Sequence, residues 1–238
     1  MPVYVRYIDL NGCKNSYCLP EQPNGFAVFV ISDSSILTKF EVKKLINYLV
    51  YSGYTVFSTS LLDAHWGSAK AVNHARDLIQ LFLKKETVNK RIFLYAEGSG
   101  ALIAKQLLID NDISIRAAAV MKPFFTLESV LKEKQADDLA RKRFQKEVKE
   151  AYGLTADATI KQIKRLDQAY QHRLKNKLPP MRVYGYLDEG RANISCLAPT
   201  QYVDYFFLAK RTDVIELPKQ IDRFYEQFHS DNQMGNDL

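Results

Sequence analysis

Short apolar runs alternate with longer stretches of helical period along most of this chain. Val3 to Asp9 reads as an edge strand, and Gly25-Phe-Ala-Val-Phe-Val-Ile31 as a strand buried on both faces, because its apolar run is continuous. Ser32-Asp-Ser-Ser35 predicts the cap of a helix in which Phe40, Val42, Leu45, Ile46 and Leu49 recur at helical spacing. Gly53 ends that helix, and Tyr54 to Ser58 forms the next strand. After the loop from Leu61 to Ser68, a helix through Leu83 puts Ala71, Ala75, Leu78, Ile79 and Phe82 on one face. Arg91-Ile-Phe-Leu-Tyr-Ala-Glu97 is a further buried strand, which runs through a glycine-rich corner into a helix from Ala101 to Ile109. Ile115 to Val120 follows as another strand. This order predicts an α/β fold, a mostly parallel sheet flanked by helices on both faces.

From Leu127 to Lys177 the alternation stops. Leu139, Phe144, Val148 and Tyr152 mark one amphipathic helix, and Ile160, Ile163, Leu166, Tyr170 and Leu174 mark a second. Gly153-Leu-Thr155 breaks between them, and Pro179-Pro180 closes the insert. The pattern then predicts a strand from Met181 to Leu187, a helix from Pro199 to Lys210, a strand from Val214 to Leu217 and a helix from Ile221 to Phe228. The expected organisation is a core of residues 1–126 and 179–229, a helical lid at 127–178 and a disordered polar tail at 230–238.

A chain of 238 residues with 47% apolar content is long enough to bury a sizeable core. No apolar run approaches the roughly 18 residues of a membrane span, and no charged and apolar leader opens the chain, so a soluble, cytoplasmic protein is expected. Cys13, Cys18 and Cys196 are odd in number and form no CxxC pair, which indicates neither a disulfide framework nor a zinc site. No cofactor is expected. The net charge of +6 resides in one place, since residues 132–177 hold 13 Lys and Arg against 7 Asp and Glu. That excess suits either a solvated face or a contact with an acidic protein, a nucleic acid or an anionic membrane, an acidic protein being the favoured partner and Arg141, Lys142 and Arg143 the contact residues. Nucleic acid is the less suitable partner, because the segment has no glycine-rich aromatic motif and no helix-turn-helix signature.

The glycine-rich corner resembles the nucleophile elbow of the α/β-hydrolase superfamily, small-x-Ser-x-small, in which bulky neighbours would clash with the adjoining strand and helix. Aligned on Ala96, Gly98 and Gly100, the pattern puts Gly98 where the serine belongs. A slip of one residue makes Ser99 the nucleophile, flanked then by Glu97 and Ala101. Three further segments carry the resemblance, which extends from about residue 3 to residue 228. Gly53-Tyr-Thr-Val through His65-Trp-Gly67-Ser68 resembles the family's GYxVxxxDLxGHGxS segment. Lys122-Pro-Phe-Phe resembles the loop that leads into the lid. Tyr184-Gly-Tyr-Leu-Asp188 resembles the motif whose aspartate orients the catalytic histidine.

What the resemblance implies about chemistry is incomplete. The strand before the first long helix would end in His-Gly, next to the oxyanion hole, but here it ends in Ser32-Asp33, and a carboxylate there opposes a developing oxyanion. The histidine is expected near Lys219 to Asp222, where none stands, and His229 beyond it is expected at the surface. Asp188 is then the one triad position kept, and an acid without base and nucleophile has nothing to orient. His65 is expected to pack under the elbow, and His74 and His172 to be exposed on helices. Ser32, Asp33, Ser34, His65, Glu97 and Ser99 are the candidate ligand contacts. The leading expectation is a degenerate, non-catalytic binding or accessory protein. The alternatives are a carboxylesterase-like serine hydrolase using Ser99, and a scaffold subunit recruited through the basic helices.

Overall fold

The computed structural model describes residues 4–10, 13–32, 40–59, 64–171, 178–187, 203–209 and 216–230. Its strands are β1 (Tyr4–Leu10), β2 (Cys13–Leu19), β3 (Ala27–Ile31), β4 (Thr55–Thr59), β5 (Ile92–Glu97), β6 (Ile115–Met121), β7 (Met181–Tyr186) and β8 (Val203–Leu208). They form one sheet in the order β1-β2-β4-β3-β5-β6-β7-β8. β2 pairs antiparallel with both β1 and β4, and the pairings from β4 to β8 are parallel. Every residue of β3, and all of β5 up to Ala96, is buried, which is why these segments read as continuous apolar runs.

The helices are α1 (Phe40–Tyr51), α2 (Ala69–Lys85), α3 (Gly100–Asp110), α4 (Leu127–Glu133), α5 (Asp138–Tyr152), α6 (Ile160–Gln171) and α7 (Glu216–Glu226). α2 and α3 cover one sheet face, where Ala71, Leu78, Ile103 and Leu107 meet Phe29, Ile31 and Leu94. α1 and α7 cover the other, with Val42, Leu45, Ile221 and Phe224 against Val28, Val30 and Phe93. α3 is buried from Gly100 to Ile109, Lys105 and Gln106 included. A helix covered on every side must satisfy its polar ends internally. The Lys105 ammonium therefore donates to the Phe125 carbonyl, and the Gln106 amide to the Gly67 carbonyl at 2.6 Å.

α4 to α6 form the insert between β6 and β7. Leu127, Val130, Phe144, Val148 and Ile163 make its own small core, which meets the main body at Leu102 and Trp66. Asp167 of α6 accepts from the backbone N–H groups of Leu127 (2.8 Å) and Glu128 (2.9 Å), so one side chain of α6 caps α4. Burial raises its pKa, against the opposing pull of those two bonds and of Lys105.

Two regions depart from the sequence reading. β2 was not expected, because Cys-Lys-Asn-Ser-Tyr-Cys-Leu has no apolar run; Cys13, Asn15 and Tyr17 are buried at alternate positions, Cys18 is buried in the core of the opposite face, and the Asn15 Nδ2 donates to the Cys13 (2.9 Å) and Ile8 (3.3 Å) carbonyls. The helix expected over 199–210 is in fact β8 at Val203–Leu208, whose aromatic residues favour the pleat. Tyr205 and Phe207 stack at 5.9 Å along it. The strand expected at 214–217 is likewise replaced from Glu216 onward by α7. The expected cap at Ser32 to Ser35 falls mostly in 33–39, outside the described residues.

Of two histidines expected at the surface, His74 is buried and His229 is half-buried. His74 of α2 is only 4% exposed, and neither ring nitrogen has a hydrogen-bond partner. His229 stacks on Phe26 at 4.3 Å, and its Nε2 lies 2.8 Å from the Tyr54 hydroxyl. Loss of hydration lowers both pKa values; Asp77 opposes the shift at His74, while at His229 Asp222 opposes it and Arg116 adds to it. A histidine with a depressed folded pKa makes the unfolded chain the better proton acceptor, so its contribution is fully present above about pH 6.5 and is lost as pH falls toward the folded value. Thermal melts should therefore show stability declining from about pH 7 to about pH 5. A His229→Gln variant should lose part of that decline, and an unchanged slope would contradict the assignment.

Candidate functional site

The corner between β5 and α3 is built by three small residues with distinct tasks. Ala96 is fully buried at the end of the strand. Gly98 turns the chain with φ +55°, a left-handed conformation that costs a residue bearing Cβ. Its N–H donates to the Met121 carbonyl at 3.1 Å, and its own carbonyl accepts from Phe124 (3.0 Å) and Ala101 (3.2 Å). Gly100 begins α3 against β3: a Cβ there would lie 2.6 Å from the Ile31 carbonyl oxygen. At Gly98, by contrast, a Cβ would meet nothing within 4 Å. The left-handed residue of this turn is thus the one that faces open space, and it carries no side chain.

Ser99 stands differently. Its backbone is helical (φ −69°, ψ −19°), it is 3% exposed, and its Oγ lies 3.4 Å from Nε2 of His65. His65 is itself 4% exposed, and its Nδ1 accepts the N–H of Gly67 at 3.2 Å. An amide nitrogen only donates, so Nδ1 is unprotonated and the neutral ring carries its proton on Nε2. Nε2 therefore donates to Ser99. A base that activates a serine needs the opposite tautomer, with Nε2 free to take the hydroxyl proton.

Around this corner, Ser32 follows β3 with 0% exposure, and its Oγ has no hydrogen-bond partner. Glu97 is half-buried and accepts from the Tyr95 hydroxyl at 3.3 Å. Burial, reinforced by that carboxylate, holds the Tyr95 phenol well above its ordinary pKa. Lys122 follows β6 with φ +45°, its ammonium 4.6 Å from the centre of the Tyr186 ring. Asp33, Ser34, Asp188, His172 and Cys196 lie outside the described residues. β7 does end at Tyr186, immediately before the Leu187-Asp188 step.

His229 is far from this corner. Its neighbours Phe26 and Tyr54 precede β3 and β4, at the N-terminal ends of parallel strands, whereas the elbow lies past the C-terminal end of β5. Five residues of strand separate those ends by about 16 Å. Between β8, which ends at Leu208, and α7, which starts at Glu216, the sequence likewise contains no histidine.

The insert's densest basic run is internally paired. Arg141 and Lys142 both reach Asp138, the latter at 2.9 Å, and Arg143 reaches Glu147 at 2.8 Å. Exposed pairs of this kind contribute little stability, but they divide the basic surface among carboxylates of the same helix. Sequence reading missed Trp66, Glu147 and Tyr152, which join the insert to the loop beside His65. The available signal was that Trp66 is the single tryptophan of the chain. Asp167 was also legible as a carboxylate in the register of Ile163 and Tyr170. Among the described residues no cluster of three or more His, Cys, Asp or Glu is arranged to hold a metal. Nor is any described helix long and apolar enough to cross a membrane.

No family model and no curated protein matches this chain by sequence. Its structure is similar to Est1E from Butyrivibrio proteoclasticus, with a TM-score of 0.67 at 10% identity over 94% of this chain and 98% of that one. It is similar also to an esterase of Pyrococcus furiosus (TM-score 0.65, 12% identity, 96% and 92% covered). A third is FphF of Staphylococcus aureus, a fluorophosphonate-binding serine hydrolase (TM-score 0.63, 10% identity, 97% and 100% covered). The chain thus has the α/β-hydrolase fold over nearly its whole length.

Proposed function

We propose that this protein is a non-catalytic α/β-hydrolase-fold protein that binds a ligand or partner at its former elbow. The observation that carries this reading is Gly98: the left-handed turn position with open space before it bears no nucleophile. The buried, helical Ser99 and a His65 that donates to it support the same reading. In this account Ser32 and Glu97 line the ligand side of the corner, with Asp33 and Ser34 in the adjoining segment. His65 and Ser99 form its floor.

A second reading is a carboxylesterase-like serine hydrolase acting through Ser99. It is favoured by the esterases and serine hydrolases among similar structures, and by the proximity of Ser99 and His65. Acyl p-nitrophenyl ester hydrolysis separates the two. No turnover dependent on Ser99 is expected, because loss of triad members removes several orders of magnitude in rate. Turnover that vanishes in Ser99→Ala would establish the second reading instead.

The basic insert is the proposed accessory surface for an acidic protein partner through residues 132–177. Arg141→Glu, Lys142→Glu and Arg143→Glu together change local charge by six units and leave Phe144 and Val148 in place. Binding of such a partner should be salt-sensitive, given a Debye length of about 8 Å at 0.15 M, and absent in the triple variant. Salt-independent binding that survives the reversal would confine any contact to the corner.

A further inference from the structure

Three left-handed residues stand within four positions of the loop between β4 and α2: Ala64 (φ 55°), Trp66 (φ 40°) and Gly67 (φ 70°). Side chains bearing Cβ resist this conformation, and such backbone persists only where its surroundings over-determine it. Two sets of contacts hold it. On the core side, Gly67 abuts α3, where a Cβ would fall 2.8 Å from Cβ of Leu102. The Gln106 amide donates to the Gly67 carbonyl, and the Gly67 N–H donates to His65, which reaches Ser99. On the insert side, the contacts come from α5. The Trp66 indole N–H donates to Glu147 (3.1 Å), the Phe144 ring meets the indole edge-on at 4.7 Å, and the Tyr152 hydroxyl donates to the Trp66 carbonyl at 2.9 Å.

We infer that residues 64–67 are a strap coupling the docking of α5 to the His65–Ser99 pair. With α5 seated, Trp66 is pinned, the strap keeps its left-handed path, and His65 stays on Ser99 beneath the elbow. When α5 lifts, the strap relaxes toward ordinary backbone and draws His65 away, which opens the floor of the corner. This deepens the proposed function and rests on it only in identifying what is opened: α5 becomes the regulatory element of the ligand site.

The test uses the full chain and its single tryptophan. Glu147→Ala and Tyr152→Phe remove the two polar contacts to Trp66 without touching His65 or Ser99. Tryptophan emission reports the strap, and deuterium exchange at the imidazole C2, read by mass spectrometry, reports His65. In the double variant, emission should shift to the red and His65 exchange should rise about tenfold, equivalent to ~1.4 kcal/mol for two lost hydrogen bonds. Exchange at His229, at the other end of the sheet, should not change. Red-shifted emission with His65 exchanging at the wild-type rate would overturn the coupling, and unchanged emission would show that α5 does not hold Trp66. If every histidine exchanges faster, the single Tyr152→Phe variant decides by the same readouts: faster exchange at His65 alone supports the coupling, and none overturns it. No readout requires a substrate, so failure here is separable from failure of the non-catalytic reading.

Discussion

Replacing Gly100 by alanine should destabilise this protein by about 3 kcal/mol, whereas the same change at Gly98 should cost about 1 kcal/mol. The two glycines are two residues apart in one turn, yet they serve different constraints. At Gly100 the new methyl would lie 2.6 Å from the Ile31 carbonyl oxygen and 3.1 Å from the Ile31 Cγ2. The obstacle is backbone of a central, fully buried strand, so either α3 or β3 must move. Alanine's better helix propensity returns up to about 1 kcal/mol, too little to offset that overlap. At Gly98 there is no overlap, only a positive φ, and reduced freedom of the unfolded chain recovers part of the cost. Thermal melts should separate the variants by several degrees, since about 1 kcal/mol corresponds to roughly 2–4 °C at this size. Equal or reversed effects would mean that the corner is not built as described.

That contrast bears on what was legible beforehand. Small residues at Ala96, Gly98 and Gly100 marked the turn in the sequence, because close packing at Gly100 and a positive φ at Gly98 both disfavour larger ones. Continuous apolar runs such as Ala27–Ile31 were equally plain, since burial on both faces leaves no room for polar alternation. β8 was misread: Tyr202 to Leu208 is apolar enough for a helix, and its aromatic residues together with pairing to β7 make 203–208 a strand. The half-buried place of His229 was hidden for a related reason, because its contacts to Phe26 and Tyr54 come from parts of the chain more than 170 residues away. The strap at 64–67 lay beyond reach too. Trp66 meets Glu147 across 81 residues, and no local pattern announces such a contact.

The chemistry of the corner turns on which atom a reactive group meets first. In a working elbow the nucleophile projects from the left-handed position into the cleft, with an imidazole Nε2 ready to accept its proton and donors set for the oxyanion. Here that position is Gly98, and the hydroxyl next to it is held inward by the proton of His65. In the proposed reading, the Ser32 hydroxyl, which has no hydrogen-bond partner, and the Glu97 carboxylate hold a ligand. The histidine at the far end of the sheet is occupied with Phe26 and Tyr54, about 16 Å of strand away from the elbow. These observations support the proposed non-catalytic reading, whereas the esterases and serine hydrolases among similar structures favour the alternative through Ser99.

The second large effect expected is the loss of reactivity itself, on the order of a thousandfold or more relative to an active serine hydrolase of this fold. A fluorophosphonate probe measures it most directly, because it phosphonylates an activated serine whatever the natural substrate. Incubated with excess probe and examined by intact mass, the wild-type protein is predicted to show no added mass, while an active serine hydrolase treated alongside is fully labelled. A single adduct on the wild-type chain that maps to Ser99, and that is lost in Ser99→Ala, would contradict the non-catalytic account.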